Sequence, residues 1–324
     1  KCCRYLVLSV FSLMALRLSR FRQAMERGLV STDWLASRLA SGSPKLRVVD
    51  ATWFLPNSPF ACPVEGSTAA AEFAKGPRLP AAGFFDLDVV SDTSVDLPHM
   101  LPPAGKLAAA LAELGISRDS EVVVYDQLGI FSAPRLWYTL KAFGHPLVAV
   151  LDGGLPRWLE EGRETETGSV RSTPSPAPEE TWSLNPGMVW DLPRVMANIQ
   201  KPEAQIVDAR PAGRFTASVP EPRPGMRGGH MPGSVNVPFA EVLTSERMMK
   251  QPEELVKVFS RAGIELSPNI DATRQMPYLV SSCGSGMTAC ILGLALRQLD
   301  FPIETRWAVY DGSWTEYGAR SDTK

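Results

Sequence analysis

The sequence predicts an α/β fold in tandem duplicate: two copies of one domain, each a parallel sheet flanked by helices. Three observations carry that expectation. Short β-branched runs such as Val122-Val123-Val124-Tyr125 and Tyr278-Leu279-Val280-Ser281 alternate with amphipathic stretches such as Leu107 to Leu114 and Pro252 to Ala262. Continuous apolar strands bounded by Gly, Pro or Asp belong to parallel sheets covered on both faces. Landmarks also occur twice: Val48-Val49-Asp50-Ala51 returns as Ile206-Val207-Asp208-Ala209, and Leu79-Pro80-Ala81-Ala82 as Met231-Pro232-Gly233-Ser234. The strand before Asp126 returns as the strand before Cys283, and Val148-Ala149-Val150-Leu151-Asp152-Gly153 as Trp307-Ala308-Val309-Tyr310-Asp311-Gly312. Finally, the offsets stay within about 152 to 159 residues, which fits two domains of ~130 residues each.

In chain order, residues 1–27 come first. Lys1, Arg4, Arg17, Arg20 and Arg22 surround an apolar run from Tyr5 to Leu16 that is too short to span a bilayer. This reads as a targeting or disordered segment: a mitochondrial transit peptide, a secretory signal, or an over-extended reading frame with its start at Met14 or Met25. The first domain is expected over 28–162 and the second over 186–320. Between them, 163–185 contains Ser172-Thr173-Pro174-Ser175-Pro176-Ala177-Pro178 and reads as an extended Pro-rich linker.

Composition removes several function classes. The 324 residues are 44% hydrophobic, enough for at least one core, while 25 Gly and 28 Pro are too dispersed for low complexity and indicate a loop-rich globular chain. With 33 Lys and Arg against 35 Asp and Glu, the net charge of −2 offers no global field for nucleic acid or an anionic membrane, so neither is expected as a partner. Five Cys is an odd, sparse count that argues against a disulfide framework and for a reducing compartment, mitochondrial or cytoplasmic.

In open α/β sheets ligands sit at the carboxyl ends of strands, which singles out Asp126 in one copy and Cys283 in the other. The loop Cys283-Gly284-Ser285-Gly286-Met287-Thr288-Ala289 precedes an apolar helix, Cys290 to Leu299. Two glycines let successive backbone N–H groups converge on one spot, an anion nest capped by a helix N-terminus. A thiol at its base is expected to have a depressed pKa and to act as a nucleophile, where most isolated cysteines are buried apolar thiols, the reading given to Cys290. A cysteine phosphatase needs Arg six residues after the Cys, and Ala289 stands there. Gly284-x-Gly286-x-x-Ala289 also fits a dinucleotide fingerprint, but only about 38 residues follow Gly286, too few for that domain. The Gly-Lys-Ser/Thr of a Walker loop is absent.

At these residues the chain resembles the two-domain rhodanese-like sulfurtransferases, and among them the 3-mercaptopyruvate branch. The resemblance covers about residues 28–320. It runs through Asp50-Ala51-Thr52-Trp53, His99-Met100-Leu101-Pro102, Ser132-Ala133-Pro134-Arg135, Gly213-Arg214-Phe215, Glu221-Pro222-Arg223, Gly229-His230-Met231-Pro232-Gly233, the Cys283 loop and Tyr310-Asp311-Gly312-Ser313-Trp314. Relatives specific for thiosulfate carry basic residues after the Cys, whereas Gly284 and Ser285 are uncharged. The chain departs from the pattern at Arg78-Leu79-Pro80-Ala81, where His-Ile-Pro-Gly is usual, at Phe131, often Tyr, and at Met287, usually Val.

The resemblance implies an enzyme that moves sulfane sulfur from 3-mercaptopyruvate through a Cys283 persulfide to a thiol, such as thioredoxin or a small thiol, or to cyanide. It requires no cofactor and no metal. It implies a proton-handling triad of Ser285, His99 and Asp88 at the active Cys, with Asp88 and His99 as mere turn caps the alternative. Arg214 and Arg223 match substrate-binding arginines, whose guanidinium forks suit a carboxylate beside a ketone, and Gly284, Gly286, Met287 and Thr288 complete the substrate loop. Alternatives that remain are a thiosulfate sulfurtransferase and a noncatalytic sulfur-carrier or interaction module. Arg227 reads as solvated, His230 as satisfying a turn, His145 as a helix-to-strand connector, and Trp53, Trp137, Trp158 and Trp314 as core aromatics.

Overall fold

A computed structural model describes residues 22–169, 181–266 and 277–324. The targeting reading of the N-terminal segment and the middle of the Pro-rich linker lie outside the described residues. The first half runs β1 (Leu29–Val30), α1 (Thr32–Ala40), β2 (Leu46–Asp50), α2 (Ala69–Lys75), β3 (Ala82–Phe84), α3 (Ala104–Glu113), β4 (Glu121–Tyr125), α4 (Ala133–Ala142), β5 (Val148–Leu151) and α5 (Gly154–Glu160). The second runs β6 (Val189–Trp190), α6 (Leu192–Gln200), β7 (Gln205–Asp208), α7 (Ala212–Phe215), β8 (Val235–Asn236), α8 (Pro252–Arg261), β9 (Leu279–Ser282), α9 (Ala289–Gln298), α10 (Ile303–Arg306), β10 (Trp307–Tyr310) and α11 (Ser313–Tyr317). Two five-stranded sheets result, ordered β1-β5-β4-β2-β3 and β6-β10-β9-β7-β8, with every strand pair parallel. The orders correspond strand for strand, so the duplication read from the sequence is a duplication of topology.

Local chemistry accounts for the elements. Ser31 caps α1 by accepting the Trp34 N–H, Asp191 caps α6 through the Arg194 N–H, and Gln251 with Glu254 forms a capping box ahead of Pro252 on α8. The strands are buried on both faces, and their side chains alternate between two cores. On β4, Val122 and Val124 face the middle of the molecule while Val123 and Tyr125 face an outer cluster. On β10, Trp307 and Val309 point inward and Ala308 and Tyr310 outward.

The inner faces of both sheets share one core. Duplication suggests two self-contained hydrophobic centres, yet the largest cluster unites Trp137, Tyr138 and Phe131 of the first half with Trp307, Phe239 and Ala289 of the second. Helices α4 and α9 pack together there, with Tyr138 edge-on to Trp307 at 5.5 Å between ring centroids. Gly293 permits this approach, since a Cβ at that position would lie 2.2 Å from the Trp307 ring. Gly293→Ala is therefore expected to destabilise the protein by about 1–3 kcal/mol despite the higher helix propensity of alanine. A denaturant midpoint raised by the substitution would contradict the packing.

The described ends of the linker are attached to the domains. Arg78, buried, donates to the Gly168 carbonyl and pairs with Glu166 through the backbone, and Trp182 stacks on His145 within the shared core. His145 also meets the Ser117 carbonyl at 3.1 Å, in keeping with a connector. Among the described residues no helix is long and apolar enough to cross a membrane.

Candidate active site

The two strand-end loops of the duplication have opposite fates. In the first copy, β4 is followed by Asp126, whose fully buried carboxylate accepts the N–H groups of Leu128, Phe131, Ser132 and Ala133. That nest is filled by its own side chain. In the second copy, β9 delivers Cys283, and the N–H groups of Gly284, Ser285, Gly286, Met287 and Thr288 have no acceptor among the described residues. The loop is held by its other polar groups. Ser313 Oγ accepts from the Cys283 N–H at 3.2 Å, the Thr315 N–H donates to the Gly284 carbonyl at 2.8 Å, and the Trp314 N–H to that of Cys283 at 3.0 Å. Gly286 adopts φ +74°, the left-handed conformation the sharp turn requires.

Cys283 is 2% exposed and stands at a cavity of about 390 Å³ between the two halves. Gly284, Ser285, Met287 and Thr288 line the cavity with it, joined by Arg214, Arg223 and Glu221 from the second half and Trp53, Leu55, Phe60 and Phe131 from the first. Gly286 does not. Its carbonyl turns away to accept from Arg135, so this member of the expected substrate loop shapes the turn and lies outside the cavity wall.

Both arginines approach the loop over Gly284, where a Cβ would lie 3.1 Å from Arg214 Nη2 and 3.6 Å from Arg223 Nη1. They differ in freedom. Arg214, at the end of the short α7, has its Nε and Nη2 engaged by the buried Glu221 carboxylate, at 3.2 and 2.5 Å. Glu221 in turn is paired with Arg210, which also forks onto Asp208 at the end of β7. Among the described residues, the side chain of Arg223 has one hydrogen-bond contact, with Thr315 Oγ1 at 3.5 Å. Burial and the neighbouring Arg214 charge push the Arg223 guanidinium down from its ordinary value, against the opposing pull of Cys283, Glu221 and Asp88.

From the first half, the segment between β3 and α3 brings His99 and Asp88 to the same loop across the domain boundary. Buried His99 meets Ser285 Oγ through Nδ1 at 2.8 Å and Asp88 Oδ1 through Nε2 at 3.1 Å. Burial pulls the His99 pKa below its usual value, opposed by Asp88 and reinforced by the positive charges of Arg135 and Arg223. Asp88 is more than half exposed. Partial burial opposes its ionisation, but the His99 contact, the Trp53 N–H and Arg223 outweigh that and hold it below the ordinary carboxylate range. An ionised Asp88 beside a neutral imidazole assigns the proton to Nε2, so Nδ1 is free to accept the Ser285 hydroxyl.

Several readings of the sequence change here. Trp53 packs against the shared core as expected but is also a site residue: its indole N–H donates to Asp88 Oδ2 at 3.0 Å and its ring meets His99 edge-on at 4.6 Å. Arg227 is not solvated. It donates to the carbonyls of Arg320 and Lys324 and lies over the Trp314 and Tyr317 rings, tying down the C-terminal segment. Cys290 is a buried thiol as expected, donating to the Gly286 carbonyl at 3.2 Å, and burial pushes its pKa up to about 12. His230 meets the Phe215 carbonyl at 2.9 Å, satisfying a turn. Sequence reasoning gave no role to Glu221 or Asp311 and none to Arg135. Each is an ionisable residue that the fold buries against an opposite charge across a loop or domain boundary, with no local pattern to reveal it.

Comparison with known proteins agrees with this geometry. The model of the rhodanese-like domain matches residues 70–161 and 191–320. The chain is 40% identical over 302 residues to 3-mercaptopyruvate sulfurtransferase of Rattus norvegicus, covering 91% of this chain and 93% of that one. It is 38% identical over 304 residues to thiosulfate sulfurtransferase of the same organism, covering 92% and 94%. Among solved structures, the 3-mercaptopyruvate sulfotransferase from Escherichia coli superimposes with a TM-score of 0.74 at 36% identity, over 89% of this chain and 98% of that one. With two matched domains, two corresponding parallel sheets and a cysteine at one of the two duplicated strand ends, the chain belongs to the tandem rhodanese-like sulfurtransferases.

Proposed function

We propose that this sulfurtransferase takes its sulfur from 3-mercaptopyruvate and passes it, through a persulfide on Cys283, to a thiol acceptor such as thioredoxin or a small thiol. The observation that carries this reading is the Asp88–His99–Ser285 chain beside the Cys283 loop. The sulfur of 3-mercaptopyruvate bears a proton, which such a chain can receive and return, whereas the sulfane sulfur of thiosulfate bears none at neutral pH.

The reaction follows from these groups. The Cys283 thiolate attacks the donor sulfur, an S–S bond forms, and the C–S bond breaks with its electron pair passing to carbon as the enolate of pyruvate. Protonation of that carbon completes pyruvate and leaves the persulfide on Cys283. Ser285, facing the cavity, hands the thiol proton to His99 Nδ1 and can return it to the enolate, while Asp88 fixes the tautomer and balances the imidazolium. The free loop amides lie where negative charge on sulfur is best stabilised. The guanidinium of Arg223, with the unengaged face of Arg214, suits the carboxylate and ketone. An acceptor thiolate then attacks the outer persulfide sulfur and regenerates Cys283. A reducing compartment, mitochondrial or cytoplasmic, suits a chemistry that depends on free thiols.

Side-by-side steady-state assays with the two donors test the assignment. A kcat/KM for 3-mercaptopyruvate at least tenfold above that for thiosulfate is expected, and the reverse order would overturn it. Because Glu221 already engages two donors of Arg214, Arg223 is expected to be the more sensitive arginine. Arg223→Lys keeps the charge but loses the fork, and should raise KM for 3-mercaptopyruvate about tenfold to a hundredfold, on the order of 1.5–3 kcal/mol. Unchanged kinetics in that variant would place the donor carboxylate elsewhere.

A further inference from the structure

We propose that the buried Arg135–Asp311 pair, one residue from each domain, positions His99 against Ser285 and so sets the relay on which the proposed donor chemistry rests. The two side chains brace residues 99–101 from both sides. Arg135 Nη2 donates to the His99 carbonyl and, at 2.6 Å, to Asp311 Oδ1, while Asp311 Oδ2 accepts the Leu101 N–H at 2.8 Å. The other arm, Nη1, donates to the Gly286 carbonyl at 3.2 Å, one residue beyond Ser285. One guanidinium thus ties the backbone of the relay histidine to the backbone of the cysteine loop across the domain boundary. The held conformation is uncommon for a residue with a Cβ, since His99 sits at φ +62°, in the left-handed region.

The duplication supplies an internal control. In the other half, Arg247 occupies the place of His99, with φ +58°, and its side chain reaches the Leu128 carbonyl beside Asp126. Asp152, the counterpart of Asp311, accepts the Met249 N–H at 2.9 Å, just as Asp311 accepts that of Leu101. The aspartate-to-amide tie is therefore common to both halves and docks each copy on the other. The arginine is not common: aligning the starts of α4 and α9 at Ala133 and Ala289 sets Arg135 opposite Ile291, a fully buried apolar residue. Of the two related contacts, the extra fork exists at the one that joins the relay histidine of the first half to the cysteine loop of the second. A charged pair that served docking alone would be needed equally in both. A lysine could carry the charge but could not reach three acceptors in one plane, so Arg135→Lys separates geometry from electrostatics.

The test uses the full-length protein with Arg135→Lys, and Asp311→Asn as an independent disruption of the same pair should the first variant fold poorly. Turnover is measured with 3-mercaptopyruvate, alone and in a His99→Ala background, and the tautomer of His99 is read from its imidazole nitrogen shifts, the chain having only three His. A positioning role predicts that kcat falls about tenfold to a hundredfold while KM stays within about threefold. It also predicts that the His99 signal moves from the Nε2–H form toward a mixture, and that the Arg135 loss vanishes when His99 is already alanine. Losses that multiply in the double variant, or an imidazole signal unchanged in a folded variant, would overturn it. Should His99→Ala alone leave turnover intact, the relay reading fails separately, and the positioning claim is then decided by the imidazole signal.

Discussion

Cys283→Ser is expected to lower turnover by a factor of at least ~10⁴ with either sulfur donor while leaving the fold intact. A serine hydroxyl at the same place is neither ionised near neutral pH nor able to hold a sulfane sulfur in a persulfide. The side chain is buried and close to isosteric, and the loop is held by backbone contacts to Ser313, Trp314 and Thr315 that the change does not touch. Stability should therefore shift by less than about 1 kcal/mol. Pyruvate release and a thermal melt check both halves of the expectation. Residual turnover above a tenth of wild type would mean that another thiol carries the sulfur, and Cys62, half-buried in a neighbouring cavity that also contacts Trp53 and Asp88, would be the first suspect.

His99→Ala has the second largest expected effect and a direction that depends on the donor. Loss of the relay should cut kcat with 3-mercaptopyruvate about 10²- to 10³-fold, the usual worth of a positioned acid–base group, while thiosulfate turnover changes less than about threefold. The pH profile follows with a definite sign. The relay needs neutral His99, and burial, with Arg135 and Arg223, holds its pKa below the ordinary 6.5, so wild-type activity should persist through neutral pH and fall only on the acid side. Asp88→Asn removes the group that pulls this pKa up, so the acid limb should move to still lower pH as kcat drops. Equal losses on both donors in His99→Ala would show that the histidine holds the loop in place and moves no proton.

Much of this architecture is legible in the residues because it depends on local pattern. The strand runs, the near-constant offsets and the two glycines that follow Cys283 are short-range signals, and the fold repeats the strands in two corresponding sheets. The shared core was not legible, since the apolar periodicity of Leu136 to Leu140 and Ile291 to Leu296 is the same whether a helix faces its own sheet or another domain. Nor was the division of labour between the arginines. Arg214 and Arg223 look alike in sequence, and only the return of Glu221 onto Arg214 distinguishes a braced guanidinium from a freer one. Trp53 looks like core because tryptophan usually is, and its indole N–H finds Asp88 only when two loops of the first domain meet. Asp126 was legible as the counterpart of Cys283, but that its carboxylate fills its own amide nest could be seen only in three dimensions.

The most direct test of the central claim, that Cys283 accepts sulfur from 3-mercaptopyruvate, is peptide mass analysis after a single turnover without acceptor. A gain of about 32 Da, one sulfur, is expected on the peptide containing Cys283, with one equivalent of pyruvate released and slower, smaller labelling by thiosulfate. The same mass gain on a peptide containing Cys62 or Cys290, or pyruvate release with no sulfur retained on Cys283, would contradict it.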